Sequence, residues 1–233
     1  MSKVLNVSDF ARVEHTSFKQ RNMKTTIVIV LLLAFVGGFL LMSNKQIPQN
    51  AEAQPTDTVK PIGKDLKEIY FAGGCFWGTE HFFQQVRGVT KTEVGYANGN
   101  IVNPSYKQVT TGKTGFVETV RVIYDPRVVE LGLLIDLFLK TIDPTTLNKQ
   151  GNDIGTQYRS GIYFVDEGEK ALVLSKLESL AKGFNAPVVV EALPLKNFYV
   201  AEKYHQKYLD KNPGGYCHIG PELFELARKA NQR

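Results

Sequence analysis

The stretch that most strongly determines the fold is Glu68–Val86, EIYFAGGCFWGTEHFFQQV. Its first part, Glu68–Ala72, has the aromatic and β-branched composition of a short strand. Gly73–Gly74 then interrupts the chain, and apolar side chains recur at helical spacing along Phe76–Val86. The stretch therefore predicts a strand, a tight turn and a helix, with Cys75 where the helix begins.

The rest of the domain mixes strand-like and helix-like segments without a regular β-α-β rhythm. Gly115–Asp125, GFVETVRVIYD, is the clearest strand, and Val129–Thr141 is a strong helix. The remaining predicted elements are strands at Thr92–Tyr96, Gly161–Val165 and Val188–Glu191, helices at Glu167–Phe184 and Tyr199–Leu209, and a polar loop at Asp143–Tyr158. This mixture predicts an α+β fold, a two-layer sandwich of helices on a mainly antiparallel, ferredoxin-like sheet.

The composition indicates one globular domain with an additional segment. The chain has 233 residues, of which 43% are hydrophobic and 22% charged, enough for one sizeable core. The net charge of +5 includes no dense Lys/Arg block, so we expect no nucleic-acid partner. Two cysteines without a CxxC pair and four scattered histidines predict no metal site. The sequence also has no phosphate-binding loop, so we expect no bound cofactor.

An apolar run near the N-terminus predicts a membrane anchor. Ile27–Met42 contains no charged residue, and with the two preceding threonines it reaches the length that spans a bilayer, about 17 residues. Three basic residues stand shortly before the run, and only Lys45 stands close behind it. By the positive-inside rule we expect residues 1–24 in the cytoplasm, a transmembrane helix at 25–42, and the remainder outside the cytoplasm on the periplasmic side.

A signal peptide is the alternative to this anchor. Ala51 and Ala53 fit a cleavage site that would release a secreted protein, although the apolar run is longer than a usual signal core. Residues 43–64 carry three prolines among Gln, Asn and Thr, which predicts a flexible linker. We therefore expect the globular domain at residues 65–233.

Cys75 is a candidate nucleophile because of its predicted place at a helix start. Free backbone N–H groups and a partial positive charge there would lower the pKa of the thiol and favour the thiolate. Phe76 and Trp77 would set apolar faces beside the sulfur, which suits a small group such as a methyl. Two structural interpretations stay open: Cys75 is a buried core residue, or it forms a structural disulfide with Cys217.

Glu118 is a candidate acid. Alternation along the Gly115–Asp125 strand places its side chain in a row of apolar residues. Burial would raise the pKa of the carboxyl and keep it protonated near neutral pH. An edge position facing water is the alternative. Asp153, Tyr106 and Tyr158 are ordinary residues when each is taken alone.

The GCFWG motif around Cys75, followed by Thr-Glu, resembles the signature of the A-type peptide methionine sulfoxide reductases. Further motifs resemble that family in the same order: Asn103–Tyr106, Thr114–Gly115 with Glu118, Tyr124–Pro126, Gln150–Asp153 with Gly155–Ser160, Tyr204–Gln206 with Tyr208–Leu209, and Asn212–Pro213 with Gly215–Cys217. The resemblance extends over about Ile69–Ile219, nearly the whole domain.

The resemblance implies an enzyme that reduces methionine-S-sulfoxide, free or in oxidised proteins, and so repairs oxidised proteins. Cys75 would attack the sulfoxide sulfur, and Glu118 would protonate its oxygen. Tyr106, Tyr158 and Asp153 would form hydrogen bonds to that oxygen. Phe76 and Trp77 would hold the methyl group of the substrate. Cys75 would become a sulfenic acid, and Cys217 would resolve it to a disulfide. A thioredoxin-like reductant would restore both thiols. The enzyme is expected to be a monomer and to bind no cofactor.

Three features depart from many members of that family. Phe116 stands where many members have histidine, which would make the surroundings of Glu118 more apolar without loss of activity. The chain has only two cysteines, so Cys217 should exchange directly with the reductant. The apolar N-terminal run leaves the identity of the reductant open.

Two other functions remain as alternatives. One is a cysteine-dependent hydrolase, with His205 or His81 as base, although the sequence shows no residue to orient that base. The other is a non-catalytic, membrane-tethered binding module with a structural disulfide.

Overall fold

The computed structural model describes residues 63–232. The predicted cytoplasmic segment, the anchor at 25–42, the cleavage site and nearly all of the linker at 43–64 lie outside these residues.

The described chain alternates strands and helices. The strands are β1 (Lys67–Ala72), β2 (Val89–Ala97), β3 (Val117–Tyr124), β4 (Lys149–Gln150), β5 (Asp153–Ile154), β6 (Gly161–Phe164), β7 (Glu191–Pro194) and β8 (Phe198–Val200). The α-helices are α1 (Phe76–Gln84), α2 (Tyr106–Val109), α3 (Leu131–Leu139), α4 (Lys170–Ala181), α5 (Tyr208–Lys211) and α6 (Pro221–Lys229). Short 3-10 helices span Thr156–Tyr158 and Glu167–Glu169.

Six strands form one sheet in the order β7-β6-β1-β3-β2-β8, and β4 and β5 form a separate hairpin. Within the sheet, β6 and β7 pair in parallel, whereas the other neighbouring strands pair antiparallel. The sheet is therefore mixed, and β1 and β3 occupy its centre. This order places the end of β1, which leads into Cys75, beside β3, which carries Glu118.

The core forms where helices pack on one face of the sheet. Phe71 of β1 stacks on Phe83 of α1, with ring centroids 4.7 Å apart, and on Phe138 of α3 at 4.8 Å. Val173 of α4 joins the same buried cluster. The opposite face carries a smaller cluster around Tyr70 and Phe198, whose rings meet edge to face. All eight residues of β3 are buried between these two clusters.

The fold class as first stated included a transmembrane helix, which the described residues do not support. In the part of the chain that the structure describes, no helix is both long and apolar enough to cross a bilayer. The longest described helix, α4, has 12 residues and carries lysine and glutamate on its exposed face. The fold class is therefore corrected to a mixed α/β domain. The localisation outside the cytoplasm, which depended on the anchor, is corrected with it, and no membrane attachment is assigned.

The predicted helix at Tyr199–Leu209 is also wrong. Residues 198–200 form β8, and the chain then turns until α5 begins at Tyr208. The amide of Gln206 bonds the backbone N–H and C=O of Val94, and Lys207 adopts a left-handed conformation with φ of 51°. Polar side chains that bond other elements thus replace the helical ladder.

Smaller differences concern segment boundaries. The strand predicted at Val188–Glu191 begins only at Glu191, and the predicted polar loop contains the β4–β5 hairpin. Helix α6 was not predicted, although Pro221 stands at its first position and its apolar residues recur at helical spacing; we expected the glycine-rich stretch before it to continue to the end of the chain.

Candidate active site

Cys75 lies at the N-cap of α1, directly after the Gly73–Gly74 turn. Gly74 has a φ of +77°, and a β-carbon added there would lie 2.6 Å from the side chain of Gln150. The turn therefore requires glycine for conformation and for space. Cys75 itself is 7% exposed and packs in the main core cluster.

The lowered thiol pKa predicted from the helix start is wrong. Burial raises the pKa of Cys75 well above its ordinary value, and the charge of Glu118 raises it further. The backbone N–H of Trp77 acts in the opposite direction and is outweighed. The loss of solvent around a sulfur packed in the core exceeds the stabilisation that a helix N-terminus supplies. The resting residue is therefore a thiol at neutral pH.

Glu118 is buried among apolar side chains, as the alternation in β3 predicts. Only 1% of the residue is exposed. Burial raises the pKa of the carboxyl from 4.5 to about 8, although the backbone N–H of Phe76 donates to its Oε2 at 3.2 Å and lowers it. Since Phe76 follows Cys75 directly, the acid lies beside the thiol. It is mostly protonated at neutral pH.

Three further predicted polar residues come from separate elements. Tyr106 begins α2, Tyr158 ends a short 3-10 helix, and Asp153 begins β5. The hydroxyl of Tyr158 lies close enough to that of Tyr106 to act on its pKa, which it lowers. Burial raises the pKa of both hydroxyls, and so do the charges of Glu118 and Asp153. The structure thus brings all three within electrostatic reach of Glu118 and Cys75.

The two aromatic residues after Cys75 are held in different ways. The ring of Phe76 is buried in the core, and Trp77 is partly buried at its edge. The Trp77 indole stacks on Tyr208, with ring centroids 3.7 Å apart and planes 13° apart. Its Nε1 donates to Nδ1 of His205 at 3.2 Å. The two rings therefore form a fixed apolar edge beside the sulfur.

Cys217 lies on the same side of α1 as Cys75. A β-carbon added at Gly78, one helical turn beyond Cys75, would lie 2.8 Å from the Cys217 Sγ. Both cysteines are free thiols, so the structural disulfide does not form in this state. Two residues after Cys217, Ile219 is only 4% exposed. The segment expected to be a flexible tail is thus packed on the domain at this point.

Several residues around the site were not singled out by the sequence. Glu202 accepts a hydrogen bond from the backbone N–H of Tyr106 at 2.9 Å and another from the Tyr96 hydroxyl at 2.7 Å. Tyr216 and His218 flank Cys217, and both lie beside Asp153. No periodic pattern in the sequence marks these three residues. Their position in or next to the motifs quoted above is the feature that could have identified them.

Within residues 63–232, no group of three or more His, Cys, Asp or Glu side chains could hold a metal ion.

The sequence model of the peptide methionine sulfoxide reductases matches residues 67–232. This stretch contains every site residue described above. The chain belongs to the peptide methionine sulfoxide reductase family. The chain is therefore an oxidoreductase that carries out MsrA-type reduction of methionine sulfoxide.

Individual relatives agree with this membership of the reductase family. The MsrA of Clostridium acetobutylicum is 53% identical over 160 residues, which cover 69% of this chain and 99% of the relative. The MsrA of Mycoplasma pneumoniae is 53% identical over 154 residues, covering 66% and 98%. These relatives are named as reductases, and not as the hydrolase or the binding module that were the alternative predictions.

Solved structures of reductases share the fold. Reduced Mxr1 of Saccharomyces cerevisiae superposes with a TM-score of 0.66 at 40% identity, covering 70% of this chain and 96% of that one. Methionine sulfoxide reductase A of Corynebacterium diphtheriae superposes with a TM-score of 0.61 at 37% identity, covering 70% and 84%.

Proposed function

We propose that Cys75 reduces the S epimer of methionine sulfoxide, in proteins or as the free amino acid, with Glu118 as the acid. The observation that carries this proposal is the place of Glu118. Its carboxyl is buried, has a pKa raised to about 8, and binds the backbone N–H of the residue after Cys75. A sulfoxide oxygen leaves sulfur only when it is protonated, so a neutral acid beside a thiol is the required pair.

The raised pKa of Cys75 shapes the first step. Because the thiolate is the nucleophile, the thiol must lose its proton as it attacks. Glu118 donates its proton to the sulfoxide oxygen and receives the proton of Cys75. The Cys75 Sγ bonds to the sulfoxide sulfur, and the protonated oxygen then passes to the Cys75 Sγ as the sulfur–sulfur bond and the sulfur–oxygen bond of the substrate break. Methionine leaves, and Cys75 remains as a sulfenic acid, with the proton count unchanged.

The surrounding side chains would bind the two ends of the sulfoxide. Tyr106, Tyr158 and Asp153 would form hydrogen bonds to the oxygen, since their polar groups interact electrostatically with Glu118. Phe76 and Trp77 would contact the methyl group. This division of polar and apolar groups around one sulfur supports the choice of a single epimer.

The second half of the cycle would use Cys217. It would attack the Cys75 sulfenic acid, form a disulfide and release water. The contact of its Sγ with the Gly78 position supports this, because residues three apart lie on one helix face. A thioredoxin-like protein would then reduce the disulfide by thiol exchange.

A single-turnover experiment tests this function. The fully reduced 233-residue chain is mixed, without added thiol, with each epimer of methionine sulfoxide. We expect one methionine per chain from the S epimer and none from the R epimer. The intact mass should fall by two hydrogens as Cys75 and Cys217 join. A Cys217→Ser variant should release the same methionine but retain a sulfenic acid that dimedone traps. Absence of methionine with both thiols intact would overturn the proposal.

No observation in the site favours the hydrolase. The ring of His81 pairs with Asp210 through Nδ1 at 3.1 Å, and Nδ1 of His205 accepts the hydrogen bond from Trp77. Burial lowers the pKa of His205 to about 4, so this ring acts as an acceptor for the indole.

A further inference from the structure

The two residues that flank Cys217 both contact the β4–β5 hairpin, which carries Asp153. The hydroxyl of Tyr216 accepts a hydrogen bond from the backbone N–H of Asn152 at 3.3 Å, and the nearby Asp153 carboxylate helps to raise the pKa of that hydroxyl. On the other side of Cys217, Nδ1 of His218 lies 4.0 Å from Oδ2 of Asp153. Asp153 therefore faces both neighbours of the cysteine.

The His218 ring lies between the turn that carries Cys75 and the hairpin that carries Asp153. A β-carbon added at Gly74 would be 3.2 Å from Cε1 of His218, and one added at Gly151 would be 3.0 Å from its Cβ. Both glycines have positive φ angles, +77° and +56°. Because glycine has no side chain, the backbone of each loop can lie close to the histidine.

Polar atoms in this contact are buried and lack standard partners. The His218 side chain is 3% exposed, and among the described residues neither of its ring nitrogens has a hydrogen-bond partner of standard geometry, although the backbone carbonyl of Gly73 lies near enough to act on the pKa of the ring. Oδ2 of Asp153 is buried in the same way. Burying polar groups without such partners destabilises the folded chain. The 4.0 Å gap between them exceeds a hydrogen bond by about 1 Å, so a small shift of the segment would close it.

The chain just before Cys217 is held at Gly215. Residues 211–214 are exposed, and Gly214 has no atom within 4 Å of an added β-carbon, whereas Gly215 packs on Tyr208 and its backbone N–H donates to the carbonyl of Asn212 at 2.8 Å. Beyond that point, the place of the Cys217 sulfur depends on contacts at Tyr216, His218 and Ile219.

We propose that His218 is a positioning residue for disulfide formation: seated beside Asp153, between the Cys75 turn and the hairpin, it holds the Cys217 thiol where it can reach the oxidised Cys75. The proposal rests on the proposed function, in which Cys217 resolves a sulfenic acid. Methionine release precedes this step and does not require Cys217 to move, so His218 acts on the second half of the cycle alone.

The step that His218 serves balances without a further reagent. The Cys217 thiol loses its proton, and its sulfur forms a bond with the Cys75 sulfur. The sulfur–oxygen bond of the sulfenic acid breaks, and the oxygen leaves as water after taking up the proton and keeping its own hydrogen. Cys217 is oxidised, and Cys75 is reduced from the sulfenic acid to the disulfide state.

The experiment separates the two halves of one turnover in the full chain. His218→Phe keeps a flat ring without nitrogen, and His218→Asn keeps a polar atom near the place of Nδ1. The methionine burst measures the first half, and the decay of dimedone-reactive sulfenic acid measures the second. His81→Asn, on the exposed face of α1, is the matched control. Thermal unfolding checks that each variant is folded.

For His218→Phe we expect a methionine burst within twofold of the unchanged chain and a disulfide rate at least tenfold lower. His218→Asn should recover part of that loss, and His81→Asn should change neither rate. Unchanged disulfide formation in both His218 variants would overturn the proposal, and so would an equal slowing of both halves, which indicates a general structural role. If the unchanged chain releases no methionine, the proposed function itself fails, which is a different result.

Discussion

The sulfur of Cys217 occupies the space that a side chain at Gly78 would need. An added β-carbon would lie 2.8 Å from that sulfur and 3.4 Å from Cδ1 of Ile219. Gly78 is the last residue of the GCFWG motif, one helical turn after Cys75. The glycine therefore leaves room for the second thiol on the same face of the helix as the first.

We expect Gly78→Ala to slow disulfide formation by about tenfold while methionine release changes much less. Alanine stabilises a helix interior by roughly 1 kcal/mol relative to glycine, so unfolding of α1 would not explain a loss. The two rates are measured in single turnovers with and without dimedone. Gly132→Ala in α3 is the matched control, because its β-carbon would meet only the flexible end of Lys176 at 3.5 Å. Equal effects of the two substitutions would count against the contact.

Glu118 predicts the pH dependence of the first half-reaction. The reactive state in the proposed step has a protonated Glu118 and a protonated Cys75 thiol. Since the pKa of Glu118 is about 8, the methionine burst rate should be level below that pH and fall above it. Glu118→Gln should lower the rate by about 10²–10⁴-fold, the usual contribution of a general acid, and should remove the decline near pH 8. Both effects are measured as the methionine burst rate in single turnovers from about pH 6 to about pH 10. A rate that rises through pH 8 would contradict the assignment.

The same carboxyl should make stability depend on pH. Its pKa is raised from 4.5 to about 8 in the folded chain, so the folded state binds the proton more tightly than the unfolded state. Its contribution is complete below about pH 4.5 and is lost as pH rises through about 8. Glu80, whose burial raises its pKa to about 7, acts in the same direction. Urea unfolding at several pH values should show a decline that is shallower in Glu118→Gln.

The central strand and the first helix could be predicted because their patterns are local. Alternation in β3 correctly placed Glu118 on a buried face, and helical spacing after Gly74 correctly placed Cys75 at a helix start. The pKa of Cys75 could not be predicted in that way. It depends on how deeply the core encloses the sulfur, and this is set by residues distant in the chain.

The segment after β7 was harder to predict because long-range polar contacts organise it. Glu202 binds the backbone of Tyr106, and Gln206 binds the backbone of Val94. In the sequence these residues look like the polar face of a helix. His218 was missed for the same reason, because its meaning depends on the hairpin that carries Asp153.

The hydroxyl pair of Tyr106 and Tyr158 should act as a unit. Each hydroxyl affects the pKa of the other, and both interact electrostatically with Glu118. We expect Tyr106→Phe and Tyr158→Phe each to slow methionine release by about tenfold, and the double variant to lose less than the product of the two, because linked groups are not additive. Tyr70→Phe, which removes a hydroxyl bonded to Glu68 on the other face of the sheet, is the control. Strict additivity would show that the two hydroxyls act separately.

The last prediction concerns Arg121, which carries a buried charge on the face of the sheet opposite to Glu118. Its side chain is 1% exposed, and its guanidinium donates to Glu68 and Glu93. Removal of one partner from a buried ion pair costs about 3–5 kcal/mol. Without Arg121, Glu93 would keep only Lys91 as a partner among the described residues, and Glu68 would keep only the Tyr70 hydroxyl. We therefore expect Arg121→Ala to lower the free energy of unfolding by about that amount in urea titrations.

Arg127 provides the matched control for Arg121. It pairs with Asp125 at 2.7 Å, but its side chain is 69% exposed, so water and salt screen the pair. Arg127→Ala should leave the unfolding midpoint unchanged. Arg121 and Glu118 are three residues apart on β3 and therefore face opposite sides of the sheet. For this reason, Arg121→Ala should still release one methionine per folded chain. A loss of that yield in folded protein, or equal destabilisation by both variants, would show that the buried charge does not have this separate structural role.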